Sequence, residues 1–305
     1  MLARTVKSKC RDERDLMNGL PPILSTHEVH AGRHLAIWVA LAFSAGAVNA
    51  VALAACQRFV THVTGTVTLL GEDYDEARLA LEYGCVLGCF VLGAMTSVLL
   101  LDGRRLRDRE PWPVAPLVIV GLVLVGTGVA GALDAFGPFG RTVETPGDFV
   151  LLSVLGFAMG LQNAAVATTT GMIVRTTHMT GPVTDFAIAL ATSVIAEERV
   201  VVEAARRSAW IRAWKIVAFL AGAGIGALAA HRFEYVAFLL PATVTFAAAW
   251  QLRRSIARGR SRRQADAGRS RGEPPLGLVT GAVSSSAARG GPASAPSPGC
   301  SGSGR

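Results

Sequence analysis

Charge is what this sequence has least of. Only 17% of its 305 residues are Asp, Glu, Lys or Arg, where a soluble domain carries about a quarter. Lysine occurs only at Lys7, Lys9 and Lys215, so nearly every cation is an arginine. The missing charges leave long apolar blocks, and that clustering excludes a water-soluble globule and identifies a membrane protein. Cysteine is also sparse. Cys85 and Cys89 stand one helical turn apart, but no second pair and no nearby His completes a ligand set. They are read as packing residues, and no metal site is expected. Enzyme signatures are missing as well: there is no phosphate-binding loop, no HExxH and no GxSxG. The run Gly222-Ala-Gly224-Ile-Gly226 lies inside an apolar block and reads as packing. No folded nucleic-acid module is visible. The chain is therefore expected to be no enzyme, to hold no cofactor and to bind no nucleic acid.

What is present begins at Leu35. Residues 1–33 are polar, with Arg4, Lys7, Lys9, Arg11 and Arg14, and lack the short apolar core of a signal peptide. They read as a disordered cytoplasmic lead. Six apolar blocks follow: Leu35 to Cys56, Tyr83 to Leu101, Trp112 to Leu133, Phe149 to Val174, Ile216 to Ala230 and Tyr235 to Leu252. A helix of about twenty residues crosses the hydrocarbon core. The fifth block must borrow Trp214 and a snorkelling Lys215 to reach. Lipid cannot satisfy backbone polar groups, so the spans must be continuous helices.

The connections alternate in charge. Arg104, Arg105, Arg107 and Arg109 follow the second block. Arg175, Arg199, Arg206, Arg207 and Arg212 follow the fourth, and Arg253, Arg254 and Arg258 follow the sixth. Between the first two blocks lie Glu72, Asp73, Asp75 and Glu76. Six crossings put every basic segment on one side, and the positive-inside rule makes that side cytoplasmic, with both termini. Heavy Arg, Ala, Gly and Val usage suggests a GC-rich bacterial genome, hence a bacterial inner membrane. Residues 253–305, rich in Arg, Gly, Ser and Pro, read as a disordered cytoplasmic tail that cannot offset its ordering entropy.

The most specific feature is an internal repeat. Phe43-Ser-Ala-Gly46-Ala-Val-Asn49-Ala50 matches Phe157-Ala-Met-Gly160-Leu-Gln-Asn163-Ala164. Downstream, Thr61-His62-Val63-Thr64-Gly65 matches Thr177-His178-Met179-Thr180-Gly181, and Thr68 matches Thr184. Each half, 34–136 and 148–252, holds three spans within a membrane domain of 34–252. An odd number of spans per half forces the halves to insert in opposite directions. The expected architecture is all-α: a polytopic integral membrane protein of about six transmembrane helices, built as two inverted three-helix repeats. Secondary transporters and channels use that plan.

The same repeat marks the candidate site. Asn49, Asn163 and Gln162 lie inside apolar blocks, where an unpartnered amide costs several kcal/mol. They either bond helices together or line a polar cavity. Ala42 and Gly46 match Gly156 and Gly160, small-residue pairs expected to bring the first and fourth spans close. The segments Thr61-His62-Val63-Thr64-Gly65 and Thr177-His178-Met179-Thr180-Gly181 join hydroxyls, an imidazole and a helix breaker. Each precedes a stretch too short to span, Thr66 to Gly71 and Pro182 to Ile195. They read either as broken or re-entrant helices with N-terminal ends aimed into the protein, or as caps at the interface. His62 and His178 are candidate proton sites, because His titrates near neutrality. Asp185, matched by Leu69, is a candidate ion site or a first-turn carboxylate.

These motifs resemble the YoaK family of bacterial membrane proteins, a domain of unknown function (DUF1275). The resemblance rests on Val63-Thr-Gly-Thr-Val-Thr-Leu-Leu-Gly71, Gly160-Leu-Gln-Asn-Ala164 and Arg175-Thr-Thr-His-Met-Thr-Gly181, and covers about Leu35 to Leu252. Thr66 and Pro182 depart from the Asn and Thr often found there in the family. The resemblance implies a six-helix membrane protein and supplies no activity. Two readings of function stand: a transporter-like protein for a small polar or ionic solute, or a structural or sensory membrane protein whose polar residues only pack helices. Either has the lipid bilayer as its partner.

Overall fold

A computed structural model describes residues 23–24, 32–72, 74–140, 145–171 and 179–272, without the side chains of residues 33 and 260–272. The described residues contain helices and no strand. In chain order these are α1 (Gly32–Cys56), α2 (Val63–Glu72), α3 (Ala77–Arg105), α4 (Ala115–Ala132), α5 (Pro146–Thr169), α6 (Thr180–Ile195), α7 (Arg199–Phe233) and α8 (Leu239–Gly272). A 3₁₀ turn at Glu234–Phe238 joins the last two.

Five stretches are long and apolar enough to cross a membrane: His34–Cys56, Ala77–Arg105, Ala115–Ala132, Pro146–Thr169 and Arg199–Gly259. The last contains both α7 and most of α8. Apolar residues such as Leu92, Leu99, Leu122, Leu220 and Leu228 stand more than half exposed on the outer faces of α3, α4 and α7. Water would penalise so much apolar surface, whereas lipid tails cover it without cost.

Local sequence sets the helix ends. Thr145 and Asp148 form a reciprocal capping box at the start of α5: the Asp148 carboxylate accepts from the Thr145 backbone N–H at 2.8 Å and the Thr145 hydroxyl accepts from the Asp148 N–H at 3.4 Å. Pro146 fits the first turn, where its missing N–H has no intrahelical acceptor to lose. At the other end of the chain the reversal from α7 into α8 is made at Glu234, whose φ of 49° turns the backbone out of the helix.

The helices pair across the repeat. α1 runs parallel to α7, and α3 runs parallel to α5. Four Phe-x-x-Gly turns make these contacts reciprocally. A Cβ on Gly46 of α1 would lie 2.1 Å from the Phe219 carbonyl oxygen of α7, and one on Gly222 of α7 would lie 2.0 Å from that of Phe43. In the other pair, a Cβ on Gly160 of α5 would meet the Phe90 oxygen of α3 at 2.1 Å, and one on Gly93 would meet the Phe157 oxygen at 2.1 Å. Only glycine permits backbones this close. This corrects the expectation that Gly46 and Gly160 bring the first and fourth spans together. Each glycine faces the second long helix of the other half, because a Phe-x-x-Gly turn is self-complementary: its carbonyl enters the gap left by the partner's missing side chain.

α8 packs antiparallel to both α1 and α4. Ser44 of α1 bonds the Thr245 hydroxyl at 2.8 Å and the Pro241 carbonyl at 3.1 Å, and His34 meets Ser255 at 2.7 Å. On the α4 side, Gly131 lies against Tyr235 and Gly121 against Phe246. α1 and α5 are the most buried of the long apolar helices and form the centre, and α3 is the least buried. α8 continues to Gly272, where the sequence reading starts an irregular tail at 253. Ser255 and Ile256 still pack on the bundle, and the Arg, Ala and Gln beyond them are good helix formers.

Candidate functional site

The two short helices, α2 and α6, place the site. α2 packs along α3, and α6 along α7; α2 has no buried residue, and Thr64 and Thr180, at the starts of the two helices, are exposed. At about 1.5 Å per residue neither is long enough to cross the hydrocarbon core alone. The starts of both helices face one cavity of about 480 Å³.

Matched residues of the two halves line it. Asn49 pairs with Asn163, Val63 with Met179, Thr64 with Thr180, and Phe90 with Phe219, joined by Phe59, Thr61 and His62. Among the described residues the lining has three kinds of hydrogen-bonding side chain (amide, hydroxyl, imidazole) on an apolar wall, and no carboxylate, ammonium or guanidinium. Nor do the described residues hold a group of three or more His, Cys, Asp or Glu placed for a metal.

The two asparagines differ. Asn49 Oδ1 accepts from the backbone N–H of Val60 at 3.1 Å and of Thr61 at 3.0 Å, while Nδ2 donates to the Thr61 hydroxyl. The amide thus fastens the segment after α1 back onto α1, satisfying groups that lipid could not. Asn163 Oδ1 is fully buried and accepts no hydrogen bond. His62 lies edge-on to Phe59, ring centres 5.9 Å apart, and folds over the first turn of α2. A Cβ on Gly65 would come within 2.8 Å of His62 Nδ1, so glycine at that position leaves room for the ring.

Six of the residues singled out from sequence therefore meet at the cavity: Asn49, Thr61, His62, Thr64, Asn163 and Thr180. Gly65 lies beside it, on a smaller pocket of about 160 Å³ shared with Arg58 and Tyr83. Gly181 is in the first turn of α6. Gln162 points elsewhere: fully buried, it donates from Nε2 to the Leu41 carbonyl at 3.2 Å and ties α5 to α1. Asp185 is half-exposed and pairs with Arg212 of α7 at 3.4 Å, away from the cavity lining. Thr177 and His178 lie outside the described residues. Phe90 and Phe219 were not anticipated, although Phe90-Val-Leu-Gly93 and Phe219-Leu-Ala-Gly222 repeat the Phe-x-x-Gly pattern of Phe43 and Phe157.

The family model described as "Protein of unknown function (DUF1275)" matches residues 37–250, from α1 to α8 and including every lining residue. The chain belongs to the DUF1275 family. The matched span ends two residues before Leu252, the last residue of the sixth apolar block, so family membership and the bundle describe the same part of the chain. No curated protein and no solved structure matches it.

Proposed function

We propose that the protein is a transporter-like membrane protein that moves a small solute through the central cavity by alternating access of two inverted halves. The observation that carries this reading is the cavity itself: it sits between matched residues of the two halves, with Asn, Thr and Phe contributed in pairs. A binding site at the interface of inverted repeats, reached by the ends of half-length helices, is the plan of many secondary transporters.

Six crossings support the inversion. The stretch Arg199–Gly259 has 61 residues, about 90 Å as one helix and about three times the hydrocarbon thickness. It is broken at Glu234, and α7 and α8 run in opposite directions, so it supplies two crossings. α1, α4 and α7 then run one way and α3, α5 and α8 the other. The reciprocal Phe-x-x-Gly contacts relate α1 to α5 and α3 to α7, as a two-fold axis in the membrane plane requires.

The orientation follows from charge and aromatic residues. Trp112, Trp210, Trp214 and Trp250 are exposed towards the end of the bundle that carries the arginines. Arg104 stacks on Trp112 at 3.8 Å and Arg254 on Trp250 at 4.7 Å. Trp and Arg at one level mark a membrane interface, and the cation excess makes that interface cytoplasmic, in a bacterial inner membrane. The deciding experiment is uptake of a labelled solute panel into vesicles reconstituted with the full chain. Saturable uptake of one class supports transport. No uptake of any class, with the cavity closed to solute from both sides, leaves helix packing as the role of the paired residues.

A further inference from the structure

We propose that the central cavity binds a small solute carrying an oxyanion, of the carboxylate or phosphate class. This rests on the reading of the cavity as a solute site and names the chemistry that site selects.

Val63 and Thr64 open α2, and Thr180 opens α6 after Met179; all four residues line the cavity. The backbone N–H groups of Thr66 and Val183 donate to His62 and Met179. Those of Val63, Thr64 and Gly65 in α2 and of Thr180 and Gly181 in α6 have no intrahelical acceptor, as in any first turn, and Pro182 has no N–H to offer. No side chain caps α6, and neither helix has an acid in its first turn. Two positive helix ends therefore meet at one cavity with no protein carboxylate among the described lining residues to answer them.

The side chains add to the excess. The Thr61 oxygen already accepts from Asn49, which leaves its O–H to donate. The hydroxyls of Thr64 and Thr180 make no hydrogen bond among the described residues, and each can donate. The Asn49 carbonyl is occupied by two backbone N–H groups. Among the described lining side chains, the fully buried, unpartnered Asn163 Oδ1 is the amide acceptor left over, beside its own NH₂. His62 adds one ring nitrogen that accepts and one that donates when neutral; donors still exceed free acceptors, and the ligand that satisfies them is rich in acceptor oxygens and negatively charged. Asn163 Oδ1 suits a proton or hydroxyl borne by the same solute. Phe59, Phe90 and Phe219 leave room for an apolar body beside the anionic group.

The test is ligand-dependent thermal stability of the full chain in detergent, since a ligand that binds only the folded state raises Tm in proportion to its occupancy. The probes are acetate, benzoate, phosphate and sulfate, against choline and glucose, at constant ionic strength. The expected result is a saturable rise in Tm with at least one oxyanion and none with choline or glucose. Thr180→Asp places a carboxylate at the start of α6. It is expected to raise the Tm without ligand and to abolish the oxyanion-dependent rise. Thr64→Asp at the start of α2 is the second variant, should the first accumulate poorly. A rise in Tm with choline or glucose alone, or an oxyanion effect unchanged in both Asp variants, overturns the proposal. So does a rise that requires added anionic lipid and that no free anion reproduces, which would make the cavity a headgroup site. Uptake of a neutral solute without oxyanion binding would sink this inference and leave transport standing. Oxyanion binding without uptake would do the reverse.

Discussion

Asn49 and Asn163 occupy matched positions and do opposite work. Asn49 accepts from two backbone N–H groups and donates to the Thr61 hydroxyl. Removing it orphans those donors, at about 1–3 kcal/mol for a buried group. Asn163 accepts no bond at Oδ1, so its loss removes none there. Asn49→Ala is therefore expected to lower stability by about 1–3 kcal/mol and Asn163→Ala by less than about 0.5 kcal/mol. Thermal unfolding of the two variants in the same detergent checks this, and equal losses would contradict it. The glycines make a second contrast at this scale. Gly93→Ala forces a methyl onto the Phe157 carbonyl, which lies 2.1 Å from the Cβ position. The expected cost is about 1–3 kcal/mol, the range for overpacking. Gly84 and Gly88, on the same helix, have nothing within 4 Å, and Ala there is expected to be neutral or slightly stabilising. Size-exclusion profiles after a heat step separate the two groups.

At the scale of elements, long apolar runs were legible because a hydrocarbon slab imposes length and polarity on each span. α1, α3, α4 and α5 fall where the blocks lie, and the stretches after each Thr-His segment are short helices. Pairing was not legible. Phe43-x-x-Gly46 and Phe157-x-x-Gly160 looked like partners because they match, yet matched turns share a shape, and a shape that fits itself fits every copy. The copies at Phe90 and Phe219 decide the pairing, and apolar context hid them among other Phe and Gly. Gln162 and Asn163 were indistinguishable in sequence. Adjacent helix positions point about 100° apart, so one bonds Leu41 and the other faces the cavity. The end of α8 was missed for a local reason. An Arg-rich segment reads as solvated, but Ser255 is buried against His34. Truncation after Arg260 should preserve the folded bundle, whereas truncation after Gln251 should lower its yield and Tm. Equal behaviour of the two would show that the contact contributes nothing.

For the whole molecule, inversion and alternating access make linked demands. If six crossings are correct, reporters fused after Asp73 and after Arg141 face the periplasm, while those after Arg107 and Arg254 face the cytoplasm. A cytoplasmic reporter at Asp73 would break the two-fold relation. The relation then constrains motion. Thr64 lies in the first turn of the half-helix that ends at Glu72, on the side opposite the arginines, and Thr180 begins the one that ends at Ile195, on their side. Both threonines line one cavity, so a single conformation offers them to the same space. Under the proposed alternating access, exchange of the two halves about a two-fold axis carries that space from one face of the membrane to the other. Single cysteines at Thr64 and Thr180, in a background without the native five, are to be labelled by membrane-impermeant reagents from each face. Alternating access predicts that a transported solute shifts the labelling of both positions from one face towards the other. At any one condition, reactivity gained from outside is then lost from inside. A static cavity open to one face predicts labelling from that face only, unmoved by any solute, and a rigid packed protein predicts none. A shift at one position without its counterpart would end the two-fold mechanism, even if the solute binds.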